Sequence, residues 1–184
     1  MKKPIWIAAL FAAICILTSS LSVLGSGYEI KVQIHGLRDS SLYLGNHYGD
    51  KQYVRDTIKL DQTGTGTFKG PDSLPGGIYL VILPNKTYFE ILVNEQKFEI
   101  ETDTLDYVEH MKIKGSVENT LFNDHQKYII AKSKETQQVK ARLDSNKDNK
   151  DSVEILKAKL TNADKEVKAY RMKIVTDHPN TFMA

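Results

Sequence analysis

The sequence predicts a mainly β then α chain. An antiparallel β-sandwich-like domain of about seven or eight short strands is followed by a long two-helix hairpin. Three observations predict it. Between Tyr28 and about Gly115, apolar residues recur at every second position. Turn chemistry punctuates the same stretch roughly every ten residues. From Ser116 onward Gly and Pro vanish until Pro179, and apolar residues recur at steps of three and four.

The strands follow in order. Ile30, Val32 and Ile34 alternate with Glu29, Lys31 and Gln33, and Leu42 and Leu44 alternate with Ser41 and Tyr43. Val54, Ile58 and Leu60 share one parity, which predicts one buried face for that strand. Thr67 and Lys69 flank Phe68. Gly77 to Leu83 is apolar throughout, as a central strand covered on both faces would be. Thr87 to Val93 and Lys97 to Thr102 form a hairpin across Asn94-Glu95-Gln96, and Met111 to Lys114 is a last strand. Asp39-Ser40, Gly49-Asp50, Asp61 to Gly66, Pro75-Gly76-Gly77 and Asn85-Lys86 supply the turns.

The helical half spans residues 116–178. Its first helix, about Glu118 to Leu143, is weakly patterned, with Leu121, Phe122, His125, Ile129, Val139 and Leu143 on one side. In the second, Val153, Leu156, Leu160, Ala163, Val167, Tyr170 and Ile174 make a heptad seam. Asp151 or Ser152 is the expected N-cap, and Asp177-His178-Pro179 the stop. The polar loop Asp144 to Asp151 lets the helices fold back antiparallel. The seam is then expected to pack on its partner helix, on the sheet or on another domain, packing within the chain being favoured, with oligomerisation through the helices as the alternative. After Pro179, Asn180 or Thr181 can cap a further helix, so 179–184 is expected to begin a helix that is cut short.

Ahead of the strands lies an export pattern. Lys2 and Lys3 precede an uncharged apolar run, Pro4 to Leu17, and then small and polar residues to Gly27. This predicts a signal peptide over residues 1–25, with cleavage after Gly25 and a competing site at Ser20-Leu21-Ser22. The run is shorter than the roughly 20 residues of a membrane span. A retained anchor is the alternative. Cys15 suggests a lipid anchor, but Ile14 directly before it is bulky where bacterial lipidation uses a small residue. The chain is therefore expected to be exported, and periplasmic, or cell-envelope associated if the anchor is retained. Membrane contact would come only through the signal or through Cys15.

Charge and composition exclude several function classes. The formal charge is +2, and both excess positive charges are Lys2 and Lys3. Without the signal, basic residues equal the 23 acidic ones, which argues against a nucleic-acid binder. Cys15 is the only cysteine, so a disulfide framework, a cysteine zinc site and a CxxC redox centre are all excluded.

No constellation points to a reaction. Asp144, Asn146 and Asp148 alternate like calcium ligands, but Asn149 and Ile155 stand where an EF-hand needs Gly and a bidentate Glu. The histidines, His35, His47, His110, His125 and His178, show no metal-binding spacing. Gly64-Thr65-Gly66 lies between strands and reads as a hairpin, not a phosphate loop. No catalytic, cofactor or metal residue is expected. The one stretch above background is Leu42 to Thr57, where Tyr43, His47, Tyr48, Tyr53 and Arg55 could form a surface for a sugar, a peptide or another domain. The structural alternative is that these tyrosines edge the sandwich core.

The same stretch carries a resemblance. Leu37 to Thr57, Leu74 to Thr104 and Met111 to Asn119 together resemble the domain-of-unknown-function 4369 family. That resemblance implies the β-rich N-terminal domain of exported bacterial thioredoxin-like proteins, the thiol–disulfide oxidoreductases of the TlpA/ResA type. It covers about residues 28 to 120. It implies a non-catalytic module whose partner is a C-terminal thioredoxin-like domain missing from this chain. No catalytic residue carries over, because the paired cysteines have no counterpart here. The alternative is a stand-alone exported ligand-binding or assembly module with a periplasmic protein or ligand as its partner.

Overall fold

The structure is a computed structural model that describes residues 27–49 and 51–183, apart from the side chain of Tyr48. The expected signal and Cys15 lie outside the described residues. Among the described residues eight strands precede two helices: β1 (Tyr28–His35), β2 (Ser41–Tyr48), β3 (Lys51–Lys59), β4 (Thr65–Gly70), β5 (Gly77–Ile82), β6 (Tyr88–Val93), β7 (Lys97–Asp103), β8 (Lys112–Lys114), α1 (Val117–Ser145) and α2 (Lys150–Asp177). The strands form two four-stranded sheets in the orders β4-β1-β7-β8 and β3-β2-β5-β6.

Alternation drives the packing. Ile30, Val32 and Ile34 of β1 are wholly buried, with Phe68, Phe98 and Ile100 beside them. From the second sheet come Leu42, Leu44, Tyr79, Val81, Phe89, Ile91 and Val93, and the two sets form one core. One ladder departs from the antiparallel expectation: β1 and β7 run parallel, Ile30 beside Phe98. A parallel pair needs a long crossover, and here β2 to β6 supply it. Asp56 ties the sheets together at one corner. Its Oδ2 accepts from the Tyr28 hydroxyl at 2.8 Å and from the Lys69 backbone N–H at 3.2 Å. Burial, then this hydrogen bond, pushes the Tyr28 hydroxyl up to about 12.

Four expectations for the strands need correction. Neither Asn94-Glu95-Gln96 nor Gly64-Thr65-Gly66 closes a hairpin: β6 and β7 lie in different sheets, as do β3 and β4, so each connection crosses between the sheets. Val54 does not share a face with Ile58 and Leu60. The β2–β3 register shifts between Leu44 and Gly45, so that Leu44 faces Asp56 and Gly45 faces Val54. Arg55 is the extra residue of a bulge, which flips the parity, and Val54 is 60% exposed. The apolar run of β5 is covered on one face only in full. Tyr79 and Val81 enter the core and Leu80 is buried on the other side, but Ile78 is 46% exposed.

α1 packs on β6 and β8, and α2 packs on α1. Leu156, Ala163 and Ile174 of the seam are buried. The α2 N-cap is Asn149 rather than Asp151 or Ser152. Its Oδ1 accepts from the Ser152 N–H at 3.0 Å, so helix begins two residues sooner. Near the root of the hairpin the Tyr170 ring stacks on Tyr128 at 3.9 Å and on His125 at 5.8 Å. Further out, Lys132 Nζ donates to Glu135 Oε2 at 2.9 Å and to Glu166 Oε2 at 2.6 Å. Residues 179–183 make turns, not the start of a helix. They fold back, and the Phe182 N–H donates to Glu118 Oε2 at 3.2 Å.

Candidate functional site

The register of the second sheet decides where the predicted surface residues go. On β2, Leu42 and Leu44 face the core, so Tyr43, Gly45 and His47 face outward. Tyr43 stands beside Ile82 of β5, and Ile82 beside Tyr88 of β6. These three side chains make one cross-strand row on the outer face. Tyr43 is 39% and Tyr88 53% exposed. Val54 lies one row along from this one, level with Gly45, and Ile78 two rows along in the same direction. Gly45 leaves a shallow floor in the next row. A Cβ there would lie 3.2 Å from Ile82 Cδ1.

Tyr53 and Arg55 lie elsewhere. Tyr53 pairs with Asn46, whose parity is that of Leu44, on the core-side rim. Arg55 Nε donates to Asn46 Oδ1 at 2.8 Å, and its guanidinium lies 5.8 Å from the Tyr53 ring centroid. Burial raises the Tyr79 hydroxyl pKa, opposed by the charge of Arg55. The fold therefore groups Tyr53 with Arg55, while Tyr43 stands in a row with Ile82 and, beyond it, Tyr88. His47, on the outer face, lies against Gln52, with Nε2 atoms 3.4 Å apart. Tyr48 has its backbone in β2, and its side chain is outside the described residues.

The outer face of the first sheet is built differently. Glu29 pairs with Lys69 at 2.9 Å, Lys31 with Glu99 at 3.8 Å, and Glu101 with His35 at 3.0 Å and Lys112 at 3.4 Å. Lys69 and Lys112 contribute to holding Glu29 and Glu101 below the usual carboxylate range, Lys69 through its hydrogen bond first, and His35 leading at Glu101. At the end of that sheet His110 Nδ1 lies 2.7 Å from Asp103 Oδ2. Among the described residues no three side chains converge to hold a metal ion. Asn85 Oδ1 accepts from the Thr87 N–H and hydroxyl, so this segment is a polar turn.

Sequence reasoning missed the joint that fixes α1 to the sandwich. Ser116 caps α1, its Oγ accepting from the Asn119 N–H at 2.9 Å and donating to Glu95 Oε2. Glu95 Oε1 accepts from the Val117 N–H at 2.9 Å. The carboxylate of Glu118 is buried and accepts from Asn94 Nδ2 at 2.8 Å. Ser-x-x-Asn at a helix start was the available signal, but its partners Asn94 and Glu95 looked like ordinary hairpin residues.

The geometry defines a β-sandwich with one charged face, one partly apolar face and a projecting helical arm. A family described as "Domain of unknown function (DUF4369)" matches residues 28–122, and the chain belongs to that family. The match takes in the sandwich and the first turns of α1, including Glu118 and Asn119. No curated protein and no solved structure matches the chain. No helix among the described residues is long and apolar enough to cross a membrane.

Proposed function

We propose that this chain is the non-catalytic N-terminal module of a periplasmic thiol–disulfide oxidoreductase, and that it docks and positions the thioredoxin-like domain. The observation that carries docking is the uncovered row Tyr43–Ile82–Tyr88. Aromatic and aliphatic groups side by side on a flat sheet face are what a protein partner covers. The ion-paired face of the first sheet makes a poorer dock, since its charges are already satisfied by one another. The resemblance supplies the docked domain, and the signal pattern of Met1 to Gly25 supplies the compartment. In this reading the paired cysteines belong to a domain encoded after Ala184, and this chain performs no redox step.

The first check is the coding DNA past the Ala184 codon. An open frame reaching a CxxC motif supports the module. A stop codon there sinks it and leaves the stand-alone exported binding protein. The second check is a titration of the isotope-labelled chain with that CxxC-containing domain. Resonances of Tyr43, Ile82 and Tyr88 are expected to shift, and the shifts to vanish in a Tyr43→Ala/Tyr88→Ala chain that keeps its fold. Dithiol-dependent insulin reduction by a Cys15→Ser chain would overturn the non-catalytic assignment.

A further inference from the structure

We propose that the helical arm is a self-association element, and that its free groove receives the arm of a second copy in antiparallel orientation. α1 has 29 residues and α2 has 28. Each is therefore about 43 Å long. Only the root is held by the sandwich, through Asn119 on Leu92 and Gln126 on Glu90. The second helix makes its main contacts with the first.

Two helices cannot cover a full apolar stripe. Leu156 and Ala163 are buried, but Val139, Val153 and Leu160 stay half-buried and Ile155 is 59% exposed. Between the helices runs a groove of about 680 Å³. Val139, Ile155, Ala158 and Ala163 supply its apolar lining.

Charge selects the occupant. The Lys132–Glu166 contact fixes the level of the helices, so Glu135 and Glu166 line the groove at its root end, Lys159 lines its middle and Arg142 lines it toward the tip. Lys132 is outside that lining and is shared between both carboxylates, which leaves the root end net negative. An arm laid antiparallel across a two-fold axis sets Glu135 against Arg142 of the other copy, twice over, and brings the two Lys159 side chains near each other once, at the axis, where both are exposed and can turn into solvent. A parallel arrangement would set like charges together. The free face is roughly 20 Å long and 20 Å wide, on the order of 400 Å² per copy, so association is expected to be weak and in the micromolar range or above.

Sedimentation equilibrium of the full chain across about a hundredfold range of concentration around the micromolar tests this. The expected result is a monomer–dimer equilibrium that Ile155→Glu and Arg142→Glu each weaken by about tenfold or more, with helical circular dichroism unchanged. An equimolar mixture of Arg142→Glu and Glu135→Lys chains is expected to restore association, because each charge then finds its opposite. Val139→Cys in a Cys15→Ser background, near the middle of the groove, is expected to crosslink to its own copy. A monomer throughout the range would overturn the proposal. So would a dimer indifferent to Ile155→Glu and Arg142→Glu, which would place the contact on another face.

Discussion

The side-chain amide of Asn119 binds both backbone groups of Leu92. Its Oδ1 accepts from the Leu92 N–H at 2.8 Å, and its Nδ2 donates to the Leu92 carbonyl at 2.6 Å. β6 is an edge strand, and this one amide stands in for the strand that would otherwise continue the ladder. A helix thus closes a sheet edge and is fixed to it in the same contact.

Replacing Asn119 by Leu is therefore expected to leave two buried backbone groups without partners. The loss should be about 2–4 kcal/mol in urea unfolding. Asn119→Asp should not rescue it, since a carboxylate cannot donate to the Leu92 carbonyl. Hydrogen exchange at the Leu92 amide should accelerate in Asn119→Leu, and less in Asn119→Asp, whose carboxylate can still accept from that N–H.

Gly64 offers a backbone test. Its φ is +78°, and a Cβ there would lie 2.4 Å from the Ile34 carbonyl oxygen and 2.5 Å from that of Leu37. Gly64→Ala is expected to cost at least about 2 kcal/mol, as conformational strain and a backbone clash act together. Thermal unfolding checks this, with Gly49→Ala as a comparison. Gly49 also has a positive φ, but no described residue outside its own turn lies within 4 Å of a Cβ placed there. It should lose distinctly less.

Removing Tyr43 or Tyr88 should behave in the opposite way to removing a core residue. Each change to Ala is expected to cost less than about 1 kcal/mol, because these rings only cover neighbouring strands. Phe68→Ala, at a wholly buried position, should cost about 3–5 kcal/mol. Equal losses from all three would show that the outer face is a second core and not an open surface.

His125 should make the root of the arm sensitive to acid. Burial first, and then the charge of Arg171, hold its pKa below the ordinary histidine value of 6.5. Above that value both folded and unfolded chains are neutral at this site, and its contribution is intact. As pH falls below it the unfolded chain takes up the proton more readily, so stability declines. Melting between about pH 7 and pH 5 should show this decline, and His125→Phe should reduce it.

Much of the fold was legible because it obeys period two and then the heptad. Ile30, Val32 and Ile34 announce their face, and Leu156, Ala163 and Ile174 theirs. The exceptions are local. The bulge at Arg55 is invisible in sequence, since nothing in Tyr53 to Thr57 marks an extra residue. That single residue moved Val54 to the outer face and separated Tyr53 from Tyr43. Tyr43 was legible as a surface aromatic, but its neighbours Ile82 and Tyr88 come from strands distant in the chain, and only the register brings them together. Glu118 looked like an ordinary first-turn acid. Its role depends on Phe182, 64 residues further on.

The hydrogen bond between Phe182 and Glu118 has a further consequence. The arm departs and returns at one point, so its length is decoupled from everything outside it. Two heptads, one in each helix, could be inserted or deleted and change its reach by about 10 Å. The path of the polypeptide before residue 118 and after residue 182 would stay as it is. The hairpin behaves as a side branch on the chain, free to vary in size while the body of the protein keeps its geometry.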